Sequence, residues 1–185
     1  MSDAAQRLDE LLALMARLRD PQRGCPWDRA QNFASIAPFT IEEAYEVAEA
    51  VRLKDMAALK EELGDLLLQV AYHAQMAREV AAFDFEAVAG AIADKMIRRH
   101  PHVFGDATIE SAGVQTIAWE AQKDAERRSK ARAGGDAGEA VSPLPSVLDG
   151  VALALPALMR ADKLQKRAAR VGFDWPNVNG LFDKL

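Results

Sequence analysis

Two short acidic runs have the spacing best suited to chemistry. The first is Glu42-Glu43-Ala44-Tyr45-Glu46, with Glu49 three residues on; the second is Glu61-Glu62-Leu63-Gly64-Asp65. Glu43 and Glu46 stand at i,i+3, as do Glu62 and Asp65, so each pair shares one face of a helix. At ~100° per residue, both pairs lie roughly 120° from the centre of their own apolar stripe, on the same rotational side. Antiparallel neighbours with that offset can turn all four carboxylates toward one another, although the same arithmetic also lets them diverge. Converging acids repel and raise one another's pKa unless a cation neutralises them. Hard oxygen donors suit Mg²⁺ or Mn²⁺, and Mg²⁺ usually keeps waters and substrate phosphate oxygens in its shell. A di-iron centre would want Glu-x-x-His, and His73, His100 and His102 are not at that spacing from these acids. Two plainer readings stand beside the metal site. Thr40-Ile41-Glu42-Glu43 matches a capping box, with Glu43 as the cap, and acidic runs are commonly solvated helix faces.

Cations and aromatics offer complementary groups. Lys95 and Arg99 are i,i+4 at the end of a helical segment. They suit a polyphosphate, with Arg99 bidentate and Lys95 as a point charge, and equally suit a helix C-terminus, where the dipole favours cations. Trp119 and Lys123 repeat the spacing; such a pair can stack a base and meet a phosphate, or place a Trp partly in a core. Lys163, Lys166, Arg167 and Arg170 form a basic face of solvated type. Gly134-Gly135 lacks the strand–loop–helix context of a phosphate loop, and no Ser/His/Asp grouping stands out.

The elements that must position these groups read as helices nearly throughout, because alanine is common and β-branched residues are scattered. The first helix spans about Asp3 to Arg19, with Leu8, Leu11, Leu12, Met15 and Leu18 on one face. Pro21, Gly24 and Pro26 mark Asp20–Asp28 as a loop. Thr40 is expected to open a second helix to about Leu53, with Ile41, Ala44, Val47, Ala48 and Val51 inward. A third covers about Asp55 to Ala81, with Leu59, Leu63, Leu66, Leu67, Val70 and Ala74 inward. Asp84 caps a fourth, to about Arg99. A fifth runs from about Glu110 to Arg128. The glycine-rich stretch Ser129–Ser142 reads as a linker, and a last helical region covers about Ser146 to Arg170.

Composition narrows the class. The chain has 185 residues, half of them hydrophobic and 28% charged, which fits an ordinary folded protein. A net charge of −5 argues against a nucleic-acid-binding coat protein. Cys25 is alone, so neither an internal disulfide nor a cysteine zinc site can form within one chain. The N-terminus has no basic n-region of a signal peptide, and no apolar run reaches the ~18 residues of a membrane span. A cytoplasmic protein without a membrane partner is expected.

Four stretches, in order, now matter together: Asp20-Pro-Gln-Arg-Gly-Cys-Pro-Trp-Asp28, Phe39-Thr-Ile-Glu-Glu-Ala-Tyr-Glu46, Glu61-Glu-Leu-Gly-Asp-Leu-Leu67 and Arg98-Arg-His-Pro-His-Val-Phe104. They resemble the MazG family of nucleoside triphosphate pyrophosphohydrolases. The resemblance implies an all-α, MazG-type helical bundle, usually a homodimer, with an Mg²⁺-dependent site (Mn²⁺ as the alternative). It implies hydrolysis between the α and β phosphates of a nucleoside triphosphate, in the role of clearing non-standard nucleotides. The family's acidic motif falls on Glu43, Glu46, Glu62 and Asp65 as metal ligands, with Glu42 and Glu61 outside it. Glu46 and Glu43 become the catalytic carboxylates, Glu46 as acceptor of a water proton. Lys95, Arg99, Trp119 and Lys123 become nucleotide contacts.

The resemblance also orders the domains. Residues 1–130 form a catalytic helical domain and 131–145 a flexible linker. The end of the chain echoes its start: Leu158-Met159 and Phe173-Asp174-Trp175 parallel Leu14-Met15 and Cys25-Pro26-Trp27. Residues 146–185 therefore read as a connector helix and the truncated start of a second copy, which ends before a second acidic motif. That leaves a non-catalytic dimerisation and metal-binding half of a two-copy protein as the alternative function.

Overall fold

A computed structural model describes residues 2–133 and 146–174, and no strand occurs among them. The chain divides into two compact units, Met1–Thr108 and Ile109–Leu185.

The first unit begins with α1 (Asp3–Leu18), capped by the Ser2 hydroxyl, which accepts from the Ala5 N–H. Its expected apolar face is the one it turns inward: Met15 is 1% exposed, and Leu8, Leu11, Leu12 and Leu18 are partly buried. The expected loop Asp20–Asp28 is not wholly a loop. Pro26 supplies the fixed φ of a helix start, and a short helix, α2 (Pro26–Ala30), follows.

The next helix, α3 (Phe33–Leu53), starts well before Thr40. The Asn32 side chain accepts from the N–H groups of Ala34 and Ser35, and the Ser35 hydroxyl accepts from the Asn32 N–H at 2.9 Å. This is a capping box with Ser in place of the usual Glu. Pro38 therefore lies inside the helix and removes one backbone donor. Ile36, 1% exposed in the core, lies on the same early segment that carries Pro38. Thr40 is thus mid-helix, and its hydroxyl meets His73 Nε2 at 3.2 Å. The Thr40–Glu43 capping box does not exist, and Glu43 is left available for another role.

A two-residue connection leads to α4 (Met56–Glu79), which Asp55 caps through the N–H groups of Ala57 and Ala58. Lys54 takes a left-handed conformation (φ 57°), and the Asp55 N–H reaches back to the Ala50 carbonyl at 3.1 Å. That closes α3 tightly enough for α4 to return antiparallel along it. The core joins Met15, Ile36, Tyr72 and Met76, with Leu68 against it. Ala71, Ala74 and Ala77, all nearly inaccessible, let neighbouring helices approach α4 closely.

The inward stripe expected for α4 is only partly inward. Leu63, Leu67 and Val70 are exposed, as are Ile41, Tyr45 and Val51 on α3. The buried part of α4 lies toward its C-terminal half, from Gln69 to Ala77. The helix α5 (Phe85–Arg99), capped by Asp84, packs on α4, and the short α6 (Pro101–Phe104) follows.

In the second unit, α7 (Ala112–Ala133) runs past the expected start of the linker at Ser129. The rest of that linker, 134–145, lies outside the described residues, as does the stretch 175–185 of the expected second copy. The last helical region is shorter than expected: α8 spans Ala157–Ala169, because Pro156 occupies its cap. Glu120 of α7 and Arg170 join in an ion pair at 2.7 Å.

Candidate active site

The hairpin of α3 and α4 sets the acids in register. Glu43 and Asp65 stand nearly equally far, along their helices, from the Lys54–Asp55 turn, as do Glu46 and Glu62. At 1.5 Å per residue the two levels fall about 16 Å and about 12 Å from the turn. The divergent arrangement is thereby excluded. Glu43, Glu62 and Asp65 each offer a carboxylate oxygen, and these atoms lie within 4.8 Å of one another. Glu46 lies close enough to Glu43 and Glu62 for its charge to raise both. No other group of His, Cys, Asp and Glu able to hold a metal occurs among the described residues.

The electrostatics follow from crowding. Partial burial, then the charges of Asp65, Glu46 and Glu62, hold Glu43 above the usual carboxylate range. Glu62 is raised likewise, by partial burial and then by Glu46, Asp65 and Glu61. Glu61 and Glu42 are exposed and outside the cluster. A site of several carboxylate oxygens whose charges oppose one another fits a hard divalent cation. The histidines take no part in it. His73 stacks on Phe33 with ring centroids 5.9 Å apart, and burial lowers its pKa. His100 precedes α6 and His102 lies within it, their ring centroids 5.7 Å apart.

Of the other expected groups, Lys95 and Arg99 are half-buried on α5, in the same unit as the acids. Trp119 and Lys123 are half-buried on α7, in the second unit. Lys123 is paired with Glu120 at 2.7 Å, and Glu120 is held below the carboxylate range chiefly by that bond.

The sequence reading passed over one feature of the site. Trp27 of α2 is 53% exposed and meets Phe39 of α3 edge to face, with ring centroids 6.2 Å apart and planes at 72°. Phe39 is one turn before Glu43 on the same face of the helix. An aromatic edge thus adjoins the acidic cluster. The signal is the i,i+4 spacing of Phe39 and Glu43, which places both on one face only because α3 begins at Phe33 rather than at Thr40.

Comparison with known proteins agrees with this arrangement. A sequence model of the MazG nucleotide pyrophosphohydrolase domain matches residues 31–104, which contain the whole acidic hairpin. A nucleoside triphosphate pyrophosphohydrolase of Escherichia coli (strain K12) is 49% identical over 179 residues, covering 97% of this chain and 64% of that protein. The nucleoside triphosphate pyrophosphohydrolase/pyrophosphatase MazG of Thermotoga maritima is 43% identical over 185 residues, covering all of this chain and 66% of that protein. The crystal structure of a mazG-related protein from Thermotoga maritima superposes with a TM-score of 0.51 at 30% identity, covering 62% of this chain and 98% of that one. The chain belongs to the MazG family. It spans just under two thirds of the length of the two relatives named first.

Proposed function

We propose that this chain hydrolyses nucleoside triphosphates to a nucleoside monophosphate and pyrophosphate, with a divalent cation, Mg²⁺ or Mn²⁺, held by Glu43, Glu62 and Asp65 and completed by Glu46. The convergence of these carboxylates across one hairpin is the observation that carries the reading. The names of the relatives support the substrate class.

Bound there, the cation would polarise phosphate oxygens and acidify a water. The remaining work falls to the chain. Glu46 accepts the proton of the attacking water as its oxygen bonds to the α phosphorus. Glu43, beside Glu46, is the second catalytic carboxylate and would share the cation. The bridging oxygen departs with the pyrophosphate, whose charge Lys95 and Arg99 neutralise. The exposed faces of Trp27 and Phe39 take the base; Trp119 and Lys123 are further nucleotide contacts that the family resemblance implies.

We also infer a homodimer. Ile41 and Tyr45 on α3, with Leu63, Leu67 and Val70 on α4, expose two apolar helix faces that water would otherwise cover. A cytoplasmic location is part of the proposal; no helix among the described residues is long and apolar enough to cross a membrane. In domain terms, residues 1–130 carry the reaction, 131–145 link, and 146–185 connect toward a second copy.

The test is product analysis with Mg²⁺ and each common triphosphate. Monophosphate plus pyrophosphate, lost in Glu46→Ala with the helical content intact, supports the reading. Diphosphate plus orthophosphate would show that the other anhydride is cleaved. Bound metal or nucleotide without turnover would favour the non-catalytic half.

A further inference from the structure

Trp27 sits on a five-residue helix between two loops, too short to hold its own orientation. Its neighbours are fixed instead by one guanidinium. Arg19, whose side chain is 9% exposed, donates through Nε to Glu79 Oε1 at 2.8 Å and through Nη2 to Glu79 Oε2 at 2.6 Å. The remaining nitrogen, Nη1, donates to the carbonyl of Asp28 at 2.5 Å and to that of Gln31 at 3.3 Å. The guanidinium also lies over the ring of Tyr72, 5.5 Å from its centroid. The Tyr72 hydroxyl donates to the same Asp28 residue, 2.9 Å from its carbonyl and 3.1 Å from Oδ1. The Gln31 amide in turn donates to the Trp27 carbonyl at 3.0 Å. The backbone on the C-terminal side of Trp27 is thus tied to α4 at two carbonyls, those of Asp28 and Gln31, both through Arg19 and the first also through Tyr72.

We propose that Arg19 is a positioning residue for nucleotide binding: clamped by Glu79, it fixes the Asp28 and Gln31 carbonyls and so holds Trp27 against Phe39 at the aromatic edge of the acidic site. The proposal rests on the reading of that edge as the base platform. A fork of five donors is required, because a lysine in the same place is a single point charge and cannot hold Glu79 and two carbonyls together. Arg19 is bonded to Glu79, Asp28 and Gln31 and to none of the four acids, so its loss bears on binding rather than on the chemical step.

Kinetics of monophosphate release separate this from a purely structural role. Trp27→Ala is expected to raise KM by about 5- to 150-fold, the range that loss of one base–aromatic stack gives, with kcat little changed. Arg19→Lys is expected to raise KM in the same direction. Because it acts through Trp27, it should add nothing to KM when combined with Trp27→Ala. A lowered melting temperature with KM unchanged in Arg19→Lys, or full additivity in the double variant, overturns the proposal. Should Arg19→Lys fail to fold, Glu79→Gln weakens the same clamp and is read in the same way. A second readout does not depend on turnover: acrylamide quenching of Trp27 as the one remaining tryptophan, with Trp119 and Trp175 changed to Phe. Arg19→Lys should increase quenching, and unchanged quenching refutes the clamp. If the unaltered chain releases no monophosphate, the functional reading fails, while the quenching result still decides the clamp.

Discussion

Neutralising Glu43 should make the metal-free protein more stable while removing its response to metal. In Glu43→Gln the side chain keeps its size and loses its charge, and the charge is what Asp65 opposes. Their oxygens lie within 4.8 Å of each other. At that separation two like charges repel by about 0.9 kcal/mol in water, and physiological salt screens roughly half of it. The relief is then about 0.5–0.9 kcal/mol, which for a chain of this length raises the melting temperature by about 1–3 °C. The pH dependence has a definite sign. A carboxyl raised in the folded state binds its proton more tightly there than in the unfolded chain, where its ordinary value is 4.5. The folded protein is therefore favoured below that value, and the advantage is lost as pH rises through the raised value. The stabilisation by Glu43→Gln should thus be full at neutral pH and vanish near pH 4. Glu79, held low by its bond to Arg19, has the opposite sign, with stability lost as pH falls through its lowered value. It is common to both proteins and cancels in the difference. With Mg²⁺ at a hundred times its Kd, the unaltered chain should gain about 2.7 kcal/mol, and the variant little. Melts with EDTA and with Mg²⁺ from pH 4 to 8 provide the assay. A metal-free variant less stable than the parent at neutral pH, or an equal response to metal in both, would refute the reasoning.

Three further outcomes are expected. Ala81 ends α4 with φ at +54°, where a Cβ costs ~1–2 kcal/mol. Ala81→Gly should therefore stabilise by about 0.5–1 kcal/mol after glycine's own entropy cost, as read by urea denaturation. Met15→Ala empties the largest buried position of α1 and should destabilise by about 2–5 kcal/mol in the same measurement. Leu67→Glu charges the exposed face of α4 and should shift sedimentation from dimer to monomer with the helical circular dichroism retained; an unchanged dimer would place the interface elsewhere.

What was legible in the sequence divides along physical lines. The face of α1, the cap at Asp84 and the length of α4 all follow from local rules, and the structure agrees. The four acids were singled out by i,i+3 spacing alone. Their convergence needed the handedness of the α3–α4 turn, which one left-handed residue, Lys54, decides and which no periodicity encodes. The start of α3 lies earlier than Thr40 because its capping box is built from Asn32 and Ser35, without the Glu that usually marks one. The exposed stripe on α4 was read as core because the hydrophobic pattern records that a face is covered, not by what. Arg19 left no sequence signal, since its partners Asp28, Gln31, Tyr72 and Glu79 are spread along the chain.

The two-residue turn between α3 and α4 has a further consequence, for how the molecule is assembled. The acids all lie within 43–65, on contacts short in sequence, so the candidate metal centre belongs to the part of the fold with the lowest loop-closure cost. Arg19, by contrast, must find Glu79 across most of the first unit. The carboxylate cage should therefore form before the aromatic edge is fastened to it. The same locality makes the cage sensitive to chain length: one residue inserted between Glu46 and Glu62 would turn one acidic pair by about 100° against the other, whereas an insertion before Asn32 would leave the four in place.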